Sequence, residues 1–150
     1  GRLIGRLALP ENLREKMQAA PMLIVEESLE QRIEVVLQDY IVDLGQRYAT
    51  RDGAATGAES HSQSLLEGLD RIRKRLGGAR HQALRAVMED AFLRQRATGH
   101  IEAHRVWIHT LLETYYDPMY SYQLDQRDGR ILFQGDRDSV IAHIETQAPC

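Results

Sequence analysis

The sequence predicts a predominantly α-helical chain of about six helices with two or three short strands. Three observations carry this. Apolar residues recur at helical spacing through most of the 150 residues. Only two brief runs, Met22–Val25 and Ile131–Phe133, have the length and flanks of strands. A strand, a capping box and a helix follow one another over residues 22–48, an order that makes half of a parallel α/β unit.

Each element has its own signal. Residues 3–9 are ambiguous between strand and loop. Pro10 suits the start of a helix that runs to about Ala20, with Leu13 and Met17 on one face, and Pro21 stops it. Met22–Val25 is a buried-strand pattern. In Ser28-Leu29-Glu30-Gln31 the serine hydroxyl can accept from the Gln31 amide while the glutamine reaches back, so a helix starts there. Its stripe is Leu29, Ile33, Val36, Leu37, Tyr40, Ile41 and Leu44, ending near Tyr48. Residues 50–63, with Gly53, Gly57 and several alanines, read as a flexible loop. Leu65, Leu69, Ile72 and Leu76 mark a helix stopped by Gly77-Gly78. Leu84, Val87, Met88, Ala91 and Phe92 mark another, stopped by Gly99, and Ile101, His104, Ile108, Leu111 and Tyr115 a third. Asp117-Pro118 reads as a helix start, so a corner is expected after Tyr116 with Asp117 as the cap. Asp128-Gly129 is a turn, Ile131–Phe133 a short strand, and residues 137–147 a closing helix. Two short strands do not make a parallel sheet alone, so their partners are expected upstream.

Composition narrows the function classes. Charged residues are 27% and hydrophobic ones 43%, as in an ordinary soluble domain of one core. A net charge of −3 argues against a globally basic nucleic-acid binder and leaves local patches open. The one cysteine, Cys150, supports neither a disulfide framework nor a cysteine metal site. No apolar run approaches a membrane span, no signal-peptide pattern appears, and a cytoplasmic protein is expected. The chain opens on Gly1 without an initiator methionine and is read as a single fragment of a longer protein.

Arg2 with Ile4-Gly5, Leu9-Pro10-Glu11 with Leu13 and Met17, Ala20-Pro21, Arg32 and Tyr40 form one set of signature residues. Gly99, His104, Trp107, Leu111-Leu112-Glu113 and the run from Tyr115 to Leu124 form another. Together they resemble the C-terminal part of the bacterial tRNA 2-selenouridine synthase family. The tyrosine run is the most specific piece, with four of the six tyrosines. The resemblance implies an α/β fold, namely the C-terminal part of a P-loop NTPase-like domain behind a rhodanese-like domain. It implies a transferase acting on 2-thiouridine at the tRNA wobble position. By the same resemblance, selenophosphate is expected to supply the selenium and geranyl diphosphate to form an S-geranylated intermediate. The reactive rhodanese cysteine and a Gly-x-x-x-x-Gly-Lys-Ser/Thr phosphate loop are absent here and expected upstream. The chain alone is therefore expected to be inactive, to bind no cofactor by itself and to contribute no catalytic residue.

Within that frame four constellations stand out. Arg71, Arg73, Lys74, Arg75 and Arg80, with Arg85 and His81, gather positive charge around Gly77-Gly78. They suit a tRNA phosphate track; a solvated helix face is the everyday use of such a run. Arg2, Arg6 and Arg32 are candidate phosphate contacts, against ordinary salt bridging with nearby glutamates. His100 and His104 have metal-sharing spacing but no third ligand, so no metal site is expected. A packed histidine beside Trp107 is the plainer reading of His104, with a hydrogen-bonding or acid–base role as the other. Tyr115, Tyr116, Asp117 and Tyr120 are candidates for a substrate wall, against core filling and helix capping. Two other function classes fit the residues: a fragment of a small-molecule P-loop kinase, and a helical protein-interaction module.

Overall fold

The computed structural model describes residues 3–4, 7–126 and 128–147. In chain order the elements are β1 (Leu3–Ile4), β2 (Leu7–Ala8), α1 (Glu11–Ala19), β3 (Met22–Val25) and α2 (Leu29–Val36). A π-helical segment, Leu37–Asp43, leads into α3 (Leu44–Asp52), followed by α4 (Ala54–Arg71), α5 (Arg73–Leu76), α6 (Gly78–Thr98) and α7 (His104–Leu111). A second π-helical segment, Leu112–Tyr116, leads into α8 (Asp117–Asp125). A 3-10 turn at Asp128–Arg130, β4 (Ile131–Gly135) and α9 (Arg137–Gln147) complete the order. The predominantly helical α/β character expected from the sequence is observed.

The chain divides into two compact units: Gly1–Glu27 with Gln123–Cys150, and Ser28–Tyr122. The second is thus an insertion, in sequence, between two strands of the first. In the first unit β1 and β2 are antiparallel, with Ile4 opposite Leu7. The Pro10 carbonyl accepts the amides of Leu13 and Arg14 at 3.1 and 3.0 Å, which starts α1 as the proline signal implies. β3 pairs in parallel with β4, Leu23 opposite Phe133 and Val25 opposite Gly135. β3 therefore has a partner downstream in the same chain, a pairing that the expectation of partners upstream did not include. Phe133 stacks on His143 of α9 at 4.5 Å, and Val140 of α9 is buried.

The second unit is all helix. Ser28 Oγ accepts the Gln31 amide at 3.2 Å and Gln31 Oε1 accepts the Ser28 amide at 2.9 Å, the reciprocal cap read from the sequence. Ile33, Leu37 and Ile41 then point inward, and meet Leu84, Met88, Phe92 and Ile108 in one core. Tyr40 departs from the expected stripe and is 50% exposed. A π-helical turn carries more residues than an α turn, so it rotates the inward face away from Tyr40.

The loop expected over residues 50–63 is a helical hairpin instead. α3 continues to Asp52, Gly53 alone makes the turn, and α4 begins at Ala54. Gly53 has φ 83° and ψ 159°, a conformation essentially closed to residues with a side chain. Gly57 serves packing instead. A Cβ on Gly57 would lie 2.7 Å from the Ala49 backbone, so the two helices touch main chain to main chain there. The composition that resembles a loop is what lets these helices cross so closely.

Gly57→Ala is expected to lower stability by about 1–3 kcal/mol through overpacking, seen as a lower urea midpoint. Gly68→Ala, whose added Cβ would find only Arg71 Nη2 at 3.5 Å, is expected to raise it by up to about 1 kcal/mol through helix propensity.

Candidate functional site

The tyrosine run does not turn a corner. Asp117 has φ −61° and ψ −48°, so α7, the π-helical segment and α8 run on as one helix. Asp117 therefore caps nothing. Pro118 is tolerated inside this helix because the wide turn just before it opens the backbone where the ring would strike the carbonyl four residues back. The local helix-start signal is overridden by that turn.

Asp117 instead meets Arg32 of α2, 85 positions away in sequence. Arg32 Nη1 donates to Oδ1 at 2.5 Å and Nη2 to Oδ2 at 2.9 Å, a two-pronged pair. The hydrogen bond from Arg32 holds the Asp117 carboxyl below the usual carboxylate range. Arg32 is thus occupied by a carboxylate and is not a free phosphate contact. The salt-bridge reading is the one realised, with Asp117 rather than a nearby glutamate as partner. Arg32 Nε is buried without a hydrogen-bond partner. Arg2 and Arg6 lie outside the described residues.

The tyrosines form a connected set. Tyr115 and Tyr116 meet edge to face at 5.0 Å, and Tyr116 and Tyr120 lie nearly parallel, 6.4 Å apart with 21° between planes. Tyr116 is half-buried; burial pushes its phenol up, and the neighbouring Tyr40, Tyr115 and Tyr120 add to this. Tyr40, which sequence reasoning assigned to the core, is half-exposed instead. Its place on a π-helical segment is what brought it out, and its only sequence signal was membership of the signature residues. Tyr120 is 55% exposed.

Arg75 joins this set to the basic cluster, donating from Nη1 to the Tyr115 hydroxyl at 3.3 Å. Arg71, Arg73, Lys74, Arg75 and Arg80 are all exposed, and none forms an ion pair among the described residues. Arg85 and His81 drop out of the group. Arg85 bonds Asp70 and Glu89, both at 3.0 Å, and buried His81 reaches Asp70 at 2.7 Å.

His104 is not part of any open site. It is fully buried, and Trp107 Nε1 donates to its Nδ1 at 2.9 Å. Indole nitrogen only donates, so Nδ1 is the bare nitrogen and Nε2–H donates to Gln95 Oε1 at 3.0 Å. With both nitrogens used and the ring sealed, the pocket and acid–base roles are overturned. Burial, with His61 nearby, lowers its pKa from 6.5 to about 4. His61 is buried too; its Nε2–H donates to the Tyr40 carbonyl at 2.6 Å. Phe92 lies between the two histidines, 5.6 Å from His61 and 4.6 Å from His104. Among the described residues no three His, Cys, Asp or Glu side chains converge as a metal site. No helix of the described residues is long and apolar enough to cross a membrane.

Residues 1–149 match a family model described as the tRNA 2-selenouridine synthase AAA domain. The chain is 46% identical over 146 residues to a protein named tRNA 2-selenouridine synthase from Alcanivorax borkumensis, covering 97% of this chain and 40% of that protein. It is 49% identical over 139 residues to one of the same name from Marinobacter nauticus, covering 93% and 38%. A third, from Pseudomonas fluorescens, is 44% identical over 143 residues, covering 95% and 39%. The chain thus spans about 40% of the length of these curated relatives. No solved structure matches it.

Two outcomes follow, one from His104 and one from the Arg32–Asp117 pair. His104 is neutral when folded and takes up a proton more readily when unfolded. Its contribution is therefore full above about pH 6.5 and is lost as pH falls toward about 4, with a slope approaching about 1.4 kcal/mol per pH unit. His104→Gln is expected to flatten urea midpoints across that window. Separately, a double-mutant cycle on Arg32→Ala and Asp117→Ala is expected to return a coupling of about 1 kcal/mol, measured by denaturant unfolding, because both side chains are only partly buried.

Proposed function

The chain belongs to the tRNA 2-selenouridine synthase AAA-domain family, and we propose that it is the C-terminal part of such a synthase and contributes its tRNA-contacting surface. The parent protein is a cytoplasmic transferase. It carries an upstream rhodanese domain and phosphate loop, and this part is inactive alone. The reaction is geranylation of wobble 2-thiouridine followed by replacement of sulfur with selenium, using geranyl diphosphate and selenophosphate.

The observation that carries the tRNA role is the set of five exposed cations, Arg71, Arg73, Lys74, Arg75 and Arg80, with no ion pair among the described residues. In a chain of net charge −3, cations left uncompensated on one short stretch favour a polyanion. They sit at the end of α4, on α5 and at the start of α6, separated only by Ile72 and by Gly77 with φ 85°, so the stretch is held by helix geometry rather than by a loose loop. For geranyl diphosphate the support is narrower. The half-buried rings of Tyr115 and Tyr116 offer an apolar surface to a prenyl chain, while Arg32 is already held by Asp117.

Charge reversal of Arg71, Lys74 and Arg75 to glutamate in the full-length protein is expected to weaken tRNA binding. It should also reduce the slope of log affinity against log salt by about 0.7–0.9 for each phosphate no longer neutralised. Filter binding across a salt series measures both. Unchanged affinity and slope would remove the tRNA role from this stretch.

A further inference from the structure

We propose that the tyrosine rings beside the cation stretch, with exposed Tyr120 against Tyr116, form a stacking shelf for unpaired bases of RNA. Arg75 and its neighbours hold the phosphates of the same strand. The inference rests on the tRNA-contact reading above and adds to it a base-binding surface and the class of nucleotide it takes.

The geometry is continuous. Arg75 bonds the Tyr115 hydroxyl, Tyr115 meets Tyr116 edge to face, and Tyr116 faces Tyr120 nearly in parallel. Cation and ring are thus linked side chain to side chain on one helical unit. A single-stranded nucleic acid presents the matching pattern, with phosphates along one side and flat π-faces along the other. A duplex does not, because its bases are already stacked and paired.

Exposure decides which rings take part. Tyr116 is half-buried and anchored among its neighbours. Tyr120 shows 55% of its surface to solvent, far more than core packing requires. The separation of Tyr116 and Tyr120, 6.4 Å, is near the upper end for ring–ring contact, so their mutual stacking is loose. The backbone beneath is held: Tyr116 ends the second π-helical segment, and Arg32 pins the next residue, Asp117. A prenyl chain would want an enclosed apolar slot. The open groove of about 380 Å³ between α4 and α6 is lined largely by polar groups, among them Glu59, Glu67, Asp70 and Arg85, and contains none of these tyrosines.

The test uses the full-length protein and a short single-stranded RNA carrying 2-aminopurine, whose fluorescence falls when the base stacks. Wild-type protein is expected to quench the probe. Tyr120→Ala should weaken binding about tenfold and restore the fluorescence, while Tyr120→Phe keeps both, because the ring and not the hydroxyl does the stacking. Binding of a duplex RNA of the same sequence should not change in either of these variants. If Tyr120→Ala binds and quenches like wild type while the charge-reversal triple loses affinity, the shelf is wrong and the tRNA-contact reading stands. If neither variant changes RNA binding, both fall. If Tyr120→Ala lowers only the affinity for geranyl diphosphate, the rings belong to a prenyl wall and the base shelf is overturned.

Discussion

The backbones of α3 and α4 meet where Gly57 faces Ala49, at a distance that leaves no room for a β-carbon. Much of the helical unit depends on that contact. It lets α4 lie against α3 closely enough for His61 to sit over Gly45, where a Cβ would stand 3.3 Å from the imidazole. From there His61 reaches the Tyr40 carbonyl inside the first π-helical segment. A wider hairpin would withdraw this donor and leave a buried imidazole N–H without an acceptor, a costly arrangement in a core. The hydrogen bond from His61 into the π-helical segment thus depends on two small residues, Gly57 and Gly45, at the helix contact.

The aromatic line behind the site extends the same logic. Tyr48, His61, Phe92, His104 and Trp107 succeed one another at ring separations of 4.6–6.0 Å. The two imidazoles stay neutral because burial disfavours their charge. The apolar core thus holds two uncharged imidazoles, whose hydrogen bonds tie α4 to the first π-helical segment and α7 to α6. On the outer side the pattern reverses, with uncompensated arginines and half-exposed phenols. Arg105 is a contrast: it is surrounded by Glu30, Glu34 and Glu102 and ties α7 to α2.

Much of this architecture was legible in the sequence where the information is local. The capping box at Ser28, the proline start of α1, the apolar stripes of α6 and α7 and the breaks at Gly77 and Gly99 are all decided by neighbours within a turn. Two errors share a cause. Residues 50–63 look like a loop and Asp117-Pro118 looks like a helix start, because glycine, alanine and proline carry opposite meanings in isolated and packed helices. Tertiary packing overrode propensity at both places, through Gly57 against Ala49 and through the π-helical turn before Pro118. The Arg32–Asp117 pair had no readable signal, since nothing in either neighbourhood names a partner 85 positions away. Within the candidate site, the cations and Tyr115–Tyr120 were visible as runs; that Arg75 and Tyr115 join them was not.

The hydrogen bond from Trp107 to His104 has a practical side. Trp107 is the chain's one tryptophan, so all indole emission from this part of the protein originates at a single buried point. A protonated imidazole is an efficient quencher of indole, whereas a neutral one that accepts its N–H is not. The fluorescence of this residue is therefore an optical gauge of whether the histidine core is closed, independent of what happens at the tyrosines. Ligands that only settle on the outer face leave the signal alone; events that pry α6 from α7 change it.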